Sequence, residues 1–300
     1  MKHTLTRRSF SMMLGSALAG GLTLGGAARA FSQTGEDAFA RRLAEIEDGL
    51  TARLGVAVLD TETGRRWTRR GNERFPMCST FKAIASGAVL ARVDAGEEDL
   101  GRRIVFATSD LVPYSPGTET RVGGEGMTLA ELCEAAVTLS DNTAANLILE
   151  SLGGPSAITA FARSLGDAET RLDRIEPELN EATPGDPRDT TTPDAMVTSL
   201  AALTVGDSLS AASTRQFTDW MLANKTGDTR LRAGVPRDWR VGDKTGTGAY
   251  GTANDIAILY PPNRKPMIVS VYITETEATI DDRNAAIAAV GQAVAEALGA

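Results

Sequence analysis

Histidine is almost missing from this chain: its single copy, His3, lies in a leader-like N-terminal stretch. Lys2, Arg7 and Arg8 precede the small and apolar run Ser11–Ala27, and Ala28-Arg29-Ala30 has the small-x-small spacing of a cleavage site. The pattern predicts an export signal over residues 1–30 and a single domain over 31–300. Thr6-Arg7-Arg8-Ser9-Phe10 also resembles a twin-arginine signal. The apolar run is Gly-rich and shorter than the roughly 20 residues a membrane span needs, so no membrane association is expected once the signal is removed.

Without an imidazole the mature chain cannot build a Ser-His-Asp triad. With only Cys78 and Cys133 as soft ligands it is a poor candidate for a zinc site, and neither a metal nor another cofactor is expected. Two cysteines in an exported chain suggest one disulfide by default, and two buried, unpaired thiols fit equally well. Basic residues are also scarce. Removing Lys2, Arg7, Arg8 and Arg29 leaves 27 basic against 39 acidic side chains, a balance of −12 that repels phosphates and argues against a nucleic-acid partner. Lysine is rarest, at positions 82, 225, 244 and 265 only.

The full 300-residue chain has the composition of an ordinary globular protein, 42% hydrophobic and 23% charged. Phe39, Leu43, Ile46 and Leu50 form one stripe of a first helix. Leu54–Asp60 and Arg65–Arg70, flanking Thr61-Glu62-Thr63-Gly64, predict a hairpin, and Arg240–Thr245, Asp255–Tyr260 and Met267–Thr274 predict three further strands. Helical spacing recurs at about 80–93, 128–139, 143–152, 155–165, 193–204, 210–224 and 282–298. The economical arrangement is an α/β sandwich: one antiparallel five-stranded sheet built from both ends of the chain and flanked by the terminal helices, beside an all-helical region inserted from mid-chain. A cleft between the two would hold the site.

Three short motifs carry chemistry. Ser79-Thr80-Phe81-Lys82 opens an apolar helix, and three-residue spacing puts hydroxyl and amine on one face. Burial beside other cations would lower the lysine pKa from about 10.4 and allow it to act as a base. Ser140-Asp141-Asn142 lies at a junction between helices, where such residues also serve as caps. Lys244-Thr245-Gly246-Thr247 ends a strand, with a glycine that admits a substrate close to the backbone and a lysine suited to a carboxylate. Two of the four mature lysines thus complete these motifs.

Ser-x-x-Lys, Ser-Asp-Asn and Lys-Thr-Gly in this order resemble the serine β-lactamases and penicillin-binding proteins. Glu176-Pro177-Glu178-Leu179-Asn180, within the segment Arg171–Thr192, is similar to the Ω-loop of class A β-lactamases, with Arg174 and Asp189 at the positions of the ion pair that closes it. The resemblance implies hydrolysis of penicillins and cephalosporins, hence antibiotic resistance, by a periplasmic or secreted enzyme, and a monomer is the default expectation. Ser79 would be the nucleophile, and Lys82, Glu176 through a water, or both would accept its proton. Ser140 would relay a proton to the leaving nitrogen, and the backbone N–H groups of Ser79 and Thr247 would form the oxyanion hole. Tyr114 and Asn142 would contact the antibiotic, Lys244, Thr245, Gly246 and Thr247 would receive its carboxylate end, and Glu176 with Asn180 would hold the deacylating water. Arg230 is either an ordinary surface arginine or a further carboxylate ligand. Gly248, where carbapenem-specialised members carry a cysteine bridged to one beside the nucleophile, argues against that specialisation. A penicillin-binding peptidase or an acylated sensor would share three motifs but would not need Glu176 and Asn180.

Overall fold

Strand β9 (Met267–Thr274) is apolar on both faces because two separate cores meet across it. Met267, Val269, Val271 and Ile273 pack toward the terminal helices, whereas Ile268 and Tyr272 face the helical body. The computed structural model describes residues 33–299, and the export signal expected at 1–30 lies outside the described residues. The strands among these residues are β1 (Arg53–Asp60), β2 (Arg66–Arg69), β3 (Phe75–Pro76), β4 (Arg103–Ile104), β5 (Met127–Thr128), β6 (Thr190–Thr191), β7 (Arg240–Thr247), β8 (Ala253–Tyr260) and β9. Five of them form one antiparallel sheet in the order β2-β1-β9-β8-β7, so the chain's two ends interleave as the pattern requires. The short pairs β3–β6 and β4–β5 lie apart from it.

On the outer face, α1 (Gln33–Leu50) buries the predicted stripe Phe39, Leu43 and Ile46. The inserted region contains α2 (Phe81–Asp94), α3 (Leu129–Glu134), α4 (Asn142–Leu152), α5 (Pro155–Ser164), α6 (Pro193–Thr204) and α7 (Ala211–Leu222); α8 (Leu231–Gly234) leads back to the sheet, and α9 (Ile280–Ala297) covers it beside α1. Local chemistry sets the starts. Thr192 accepts from Ala195 N with Pro193 in the first turn of α6, and Thr279 forms a capping box with Asp282 at α9. The inner core, from Phe81 and Ile84 through Leu200 and Phe217 to Tyr272, joins α2 to the sheet and holds the start of α2 at their boundary.

The expected helix at 128–139 is interrupted. α3 stops at Glu134 and a wider π-type turn over Ala135–Leu139 follows, ending with Ser140 in the left-handed region at φ 60°. The apolar spacing of Leu129, Leu132, Cys133, Ala136 and Val137 fits either winding, so periodicity could not distinguish them. Of the two readings left open for the cysteines, the unpaired one is found: Cys78 and Cys133 are both free and fully buried. Burial pushes both thiols up, that of Cys133 to about 12, so neither is nucleophilic at neutral pH.

Candidate active site

Ser79 sits in a single 3-10 turn, Cys78–Thr80, at the head of α2, with Cys78 at φ 45°. Three residues on, Lys82 is fully buried, and its Nζ meets four oxygens: Ser79 Oγ at 2.9 Å, Ser140 O at 2.8 Å, Asn142 Oδ1 at 2.6 Å and Glu176 Oε1 at 2.9 Å. An ammonium has three protons for those four acceptors, so the network is over-supplied with oxygen and a neutral amine could take the Ser79 proton without moving. Burial lowers the Lys82 pKa, with the Glu176 charge and hydrogen bond opposing it. Ser79 Oγ itself lies 3.3 Å from Glu176 Oε1.

Glu176 is held on every side. Asn146, one turn beyond Asn142 on α4, clamps its backbone, donating Nδ2 to Glu176 O at 2.9 Å and accepting from Glu176 N at 2.9 Å. Asn180 Nδ2 donates to Glu176 Oε2, while Asn180 Oδ1 is buried without a hydrogen-bond partner. That orphaned acceptor beside a carboxylate suits a water that donates one proton to each. The loop carrying both residues closes where expected: Arg174 Nε donates to Asp189 Oδ2 at 2.6 Å, and Asp189 Oδ1 also accepts Asp173 N and Arg174 N at 2.8 and 2.9 Å. Asp189 is buried, and its carbonyl takes Met77 N at 2.9 Å, which ties the loop to the nucleophile turn. Asp189→Ala therefore leaves three donors unmet, with an expected loss of about 3–5 kcal/mol and of about 10 °C in the melting midpoint. Single-turnover kinetics should show deacylation slowed more than acylation.

The opposite wall is β7. Lys244 Nζ donates to Ser140 Oγ at 3.0 Å and Thr245 O at 2.8 Å. Burial, followed by the charge of Lys82, holds the Lys244 pKa well below its ordinary value. An arriving carboxylate would reverse that by favouring the charged form. Gly246 is dictated by contact, since a Cβ there would stand 2.8 Å from Met77 O and 3.2 Å from Cys78 Cβ; its absence lets β7 press against the nucleophile turn. Asn142 Nδ2 donates to Pro113 O at 2.8 Å, and Asn142 N to Tyr114 O at 3.0 Å, placing the 62%-exposed Tyr114 on the rim.

Arg230 is not a surface residue. It is 5% exposed, and its guanidinium donates to Gly246 O, Asn254 O, Thr247 Oγ1 and Asn284 Oδ1 at 2.8, 2.6, 2.8 and 2.8 Å. Together with Ser79, Tyr114, Ser140, Asn142, Asn180, Thr245, Gly246 and Thr247 it lines a cleft of about 360 Å³. Thr226 lines it too, 2.6 Å from Thr245 Oγ1, and sequence reading missed it. The one available signal was that Lys225-Thr226-Gly227 repeats the residue types of Lys244-Thr245-Gly246. Asn146 was likewise missed. Among the described residues no group of three or more His, Cys, Asp or Glu side chains is placed to hold a metal ion, and no helix is long and apolar enough to cross a membrane.

The chain is similar to known proteins. A model of the β-lactamase enzyme family matches residues 38–298. The β-lactamase AST-1 of Nocardia asteroides is 51% identical over 86% of this chain and 83% of its own length, and AER-1 of Aeromonas hydrophila is 48% identical over 82% and 81%. Among solved structures, the class A β-lactamase of the last common ancestor of Gram-negative bacteria is similar at 65% identity and a TM-score of 0.85, covering 87% of this chain and 99% of that one. The sheet, the inserted helical body and the serine site between them thus belong to a member of the β-lactamase enzyme family, a class A serine β-lactamase.

Proposed function

We propose that the enzyme opens the ring of penicillins and cephalosporins on Ser79 and releases the product through a water activated by Glu176. In acylation the Ser79 O–H proton passes to Lys82 or, through a water, to Glu176. Ser79 Oγ bonds to the lactam carbonyl carbon, and the backbone N–H groups of Ser79 and Thr247 stabilise the oxyanion, an interaction of about 3–4 kcal/mol per donor. The C–N bond then breaks, Ser140 hands its proton to the departing nitrogen, and the proton taken from Ser79 is passed on through Lys82 or Lys244 to refill Ser140, so that Lys82, Lys244 and Glu176 end the step as they began it; Ser140 Oγ lies 3.0 Å from Lys244 Nζ. Lys244, Thr245, Thr247 and Arg230 form the carboxylate end of the cleft, while Asn142 and Tyr114 face the amide side chain. In deacylation Glu176 takes a proton from water, the hydroxide attacks the ester carbonyl carbon, and the C–O bond breaks as Glu176 returns that proton to Ser79 Oγ, 3.3 Å away, which regenerates both groups.

The buried carboxylate of Glu176, 3.3 Å from the nucleophile and anchored by Asn180 and Asn146, carries this reading, because a peptidase or an acylated sensor has no use for it. Residues 1–30 would export the enzyme, which then works as a monomer outside the cytoplasm, in the periplasm or secreted. Peptide mapping after a brief mix with benzylpenicillin and an acid quench tests the site assignment. The acyl mass should fall on the peptide containing Ser79, and an adduct on any other peptide would refute it.

A further inference from the structure

We propose that Asn254 is a positioning residue for acylation, holding the turn that presents Ser79 against the strand that carries Thr247. This rests on the oxyanion assignment just given. Asn254 is fully buried in β8, directly opposite Gly246, in a strand otherwise composed mainly of apolar residues. Its Nδ2 donates to two successive carbonyls of the nucleophile turn, Pro76 O at 2.8 Å and Met77 O at 3.1 Å, while its Oδ1 is buried with no partner. A buried amide that leaves one atom unsatisfied is unfavourable relative to an apolar side chain, so the two donated bonds are what the position gains.

The turn needs such a hold. Cys78, immediately before Ser79, adopts φ 45°, a left-handed conformation unfavourable for a residue with a β-carbon, and strain of this kind persists only where the surroundings over-determine it. The same peptide unit sets the direction of the Ser79 N–H. The backbone of Asn254 completes the link, because its carbonyl accepts Arg230 Nη1 at 2.6 Å, and Arg230 in turn donates to Gly246 O and Thr247 Oγ1 at 2.8 Å each. The two oxyanion donors come from elements far apart in the chain. Asn254 and Arg230 form one hydrogen-bonded bridge between them.

The test uses the Glu176→Gln enzyme, in which the acyl-enzyme should accumulate, with and without Asn254→Leu, a substitution close in shape that removes both donors. Stopped-flow acylation by benzylpenicillin should slow about 10- to 100-fold, approaching the loss of an oxyanion donor. The infrared band of the ester carbonyl should also move to higher frequency as hydrogen bonding to its oxygen weakens. Acylation within twofold would overturn the proposal. So would slow acylation with an unmoved band, since that is what general loosening of the fold would produce. If Asn254→Leu lacks a cooperative melt, Asn254→Ser provides the same two readouts. Failure of the Glu176→Gln enzyme to acylate at Ser79 with Asn254 intact would instead overturn the underlying site reading.

Discussion

Replacing Glu176 with glutamine is expected to slow deacylation about 10³-fold, within the range for loss of a positioned general base, while acylation falls tenfold or less. Intact mass should then show an enzyme that stays acylated after the substrate is gone. The asymmetry follows from the contacts. Glutamine fills the same buried space but cannot take a proton from water, and whichever way its amide points it cannot offer an acceptor to both Asn180 Nδ2 and Lys82 Nζ. Acylation survives for an electrostatic reason: Glu176 holds the Lys82 pKa up against burial, so removing its charge lets that pKa fall further and populates the neutral amine. Normal turnover in the variant, or equal loss of both steps, would contradict the assignment.

Lys82→Ala should have the opposite signature, with acylation reduced about 10²- to 10⁴-fold as expected for removing a proton acceptor. The substitution also removes the cation that joins Ser79, Ser140, Asn142 and Glu176. Its pH dependence is the sharper readout. Burial depresses the Lys82 pKa, so if this amine is the base, acylation in the intact enzyme rises with pH and levels off below the ordinary lysine range. In Lys82→Ala that limb should vanish, leaving only what Glu176 supplies. Stopped-flow acylation across the pH range measures both, and an unchanged limb in the variant would assign the acylation proton to Glu176 alone.

Most of this architecture was legible because its periods are clean. Met267–Thr274 and Pro193–Thr204 were bounded to the residue, the first because a run of mainly apolar side chains, broken by Ser270, lies between Pro266 and the polar segment after Thr274, the second because Thr192-Pro193 announces a helix start. The three motifs could be placed because chain order and spacing put Ser79 and Lys82 on one face and Lys244 on a strand. What stayed hidden has a common physical origin. The left-handed turns at Cys78, Tyr114 and Ser140 occur at residues with no intrinsic preference for them and are imposed by tertiary contacts. Arg230 had two readings in the sequence, since burial of an arginine depends on carbonyls of β7 and β8 being aimed at it. Thr226, Asn146 and Asn254 reach the site through partners distant in sequence.

The central claim is that Ser79 is acylated and then released, many times per enzyme. The most direct measurement follows ring opening of a chromogenic cephalosporin by absorbance alongside intact mass of the mature protein during and after the reaction. Many turnovers per enzyme, with the mass returning to that of the free protein once substrate is exhausted, is the predicted result. A single stoichiometric burst with a lasting adduct would contradict it and assign the chain to the penicillin-binding peptidases or sensors.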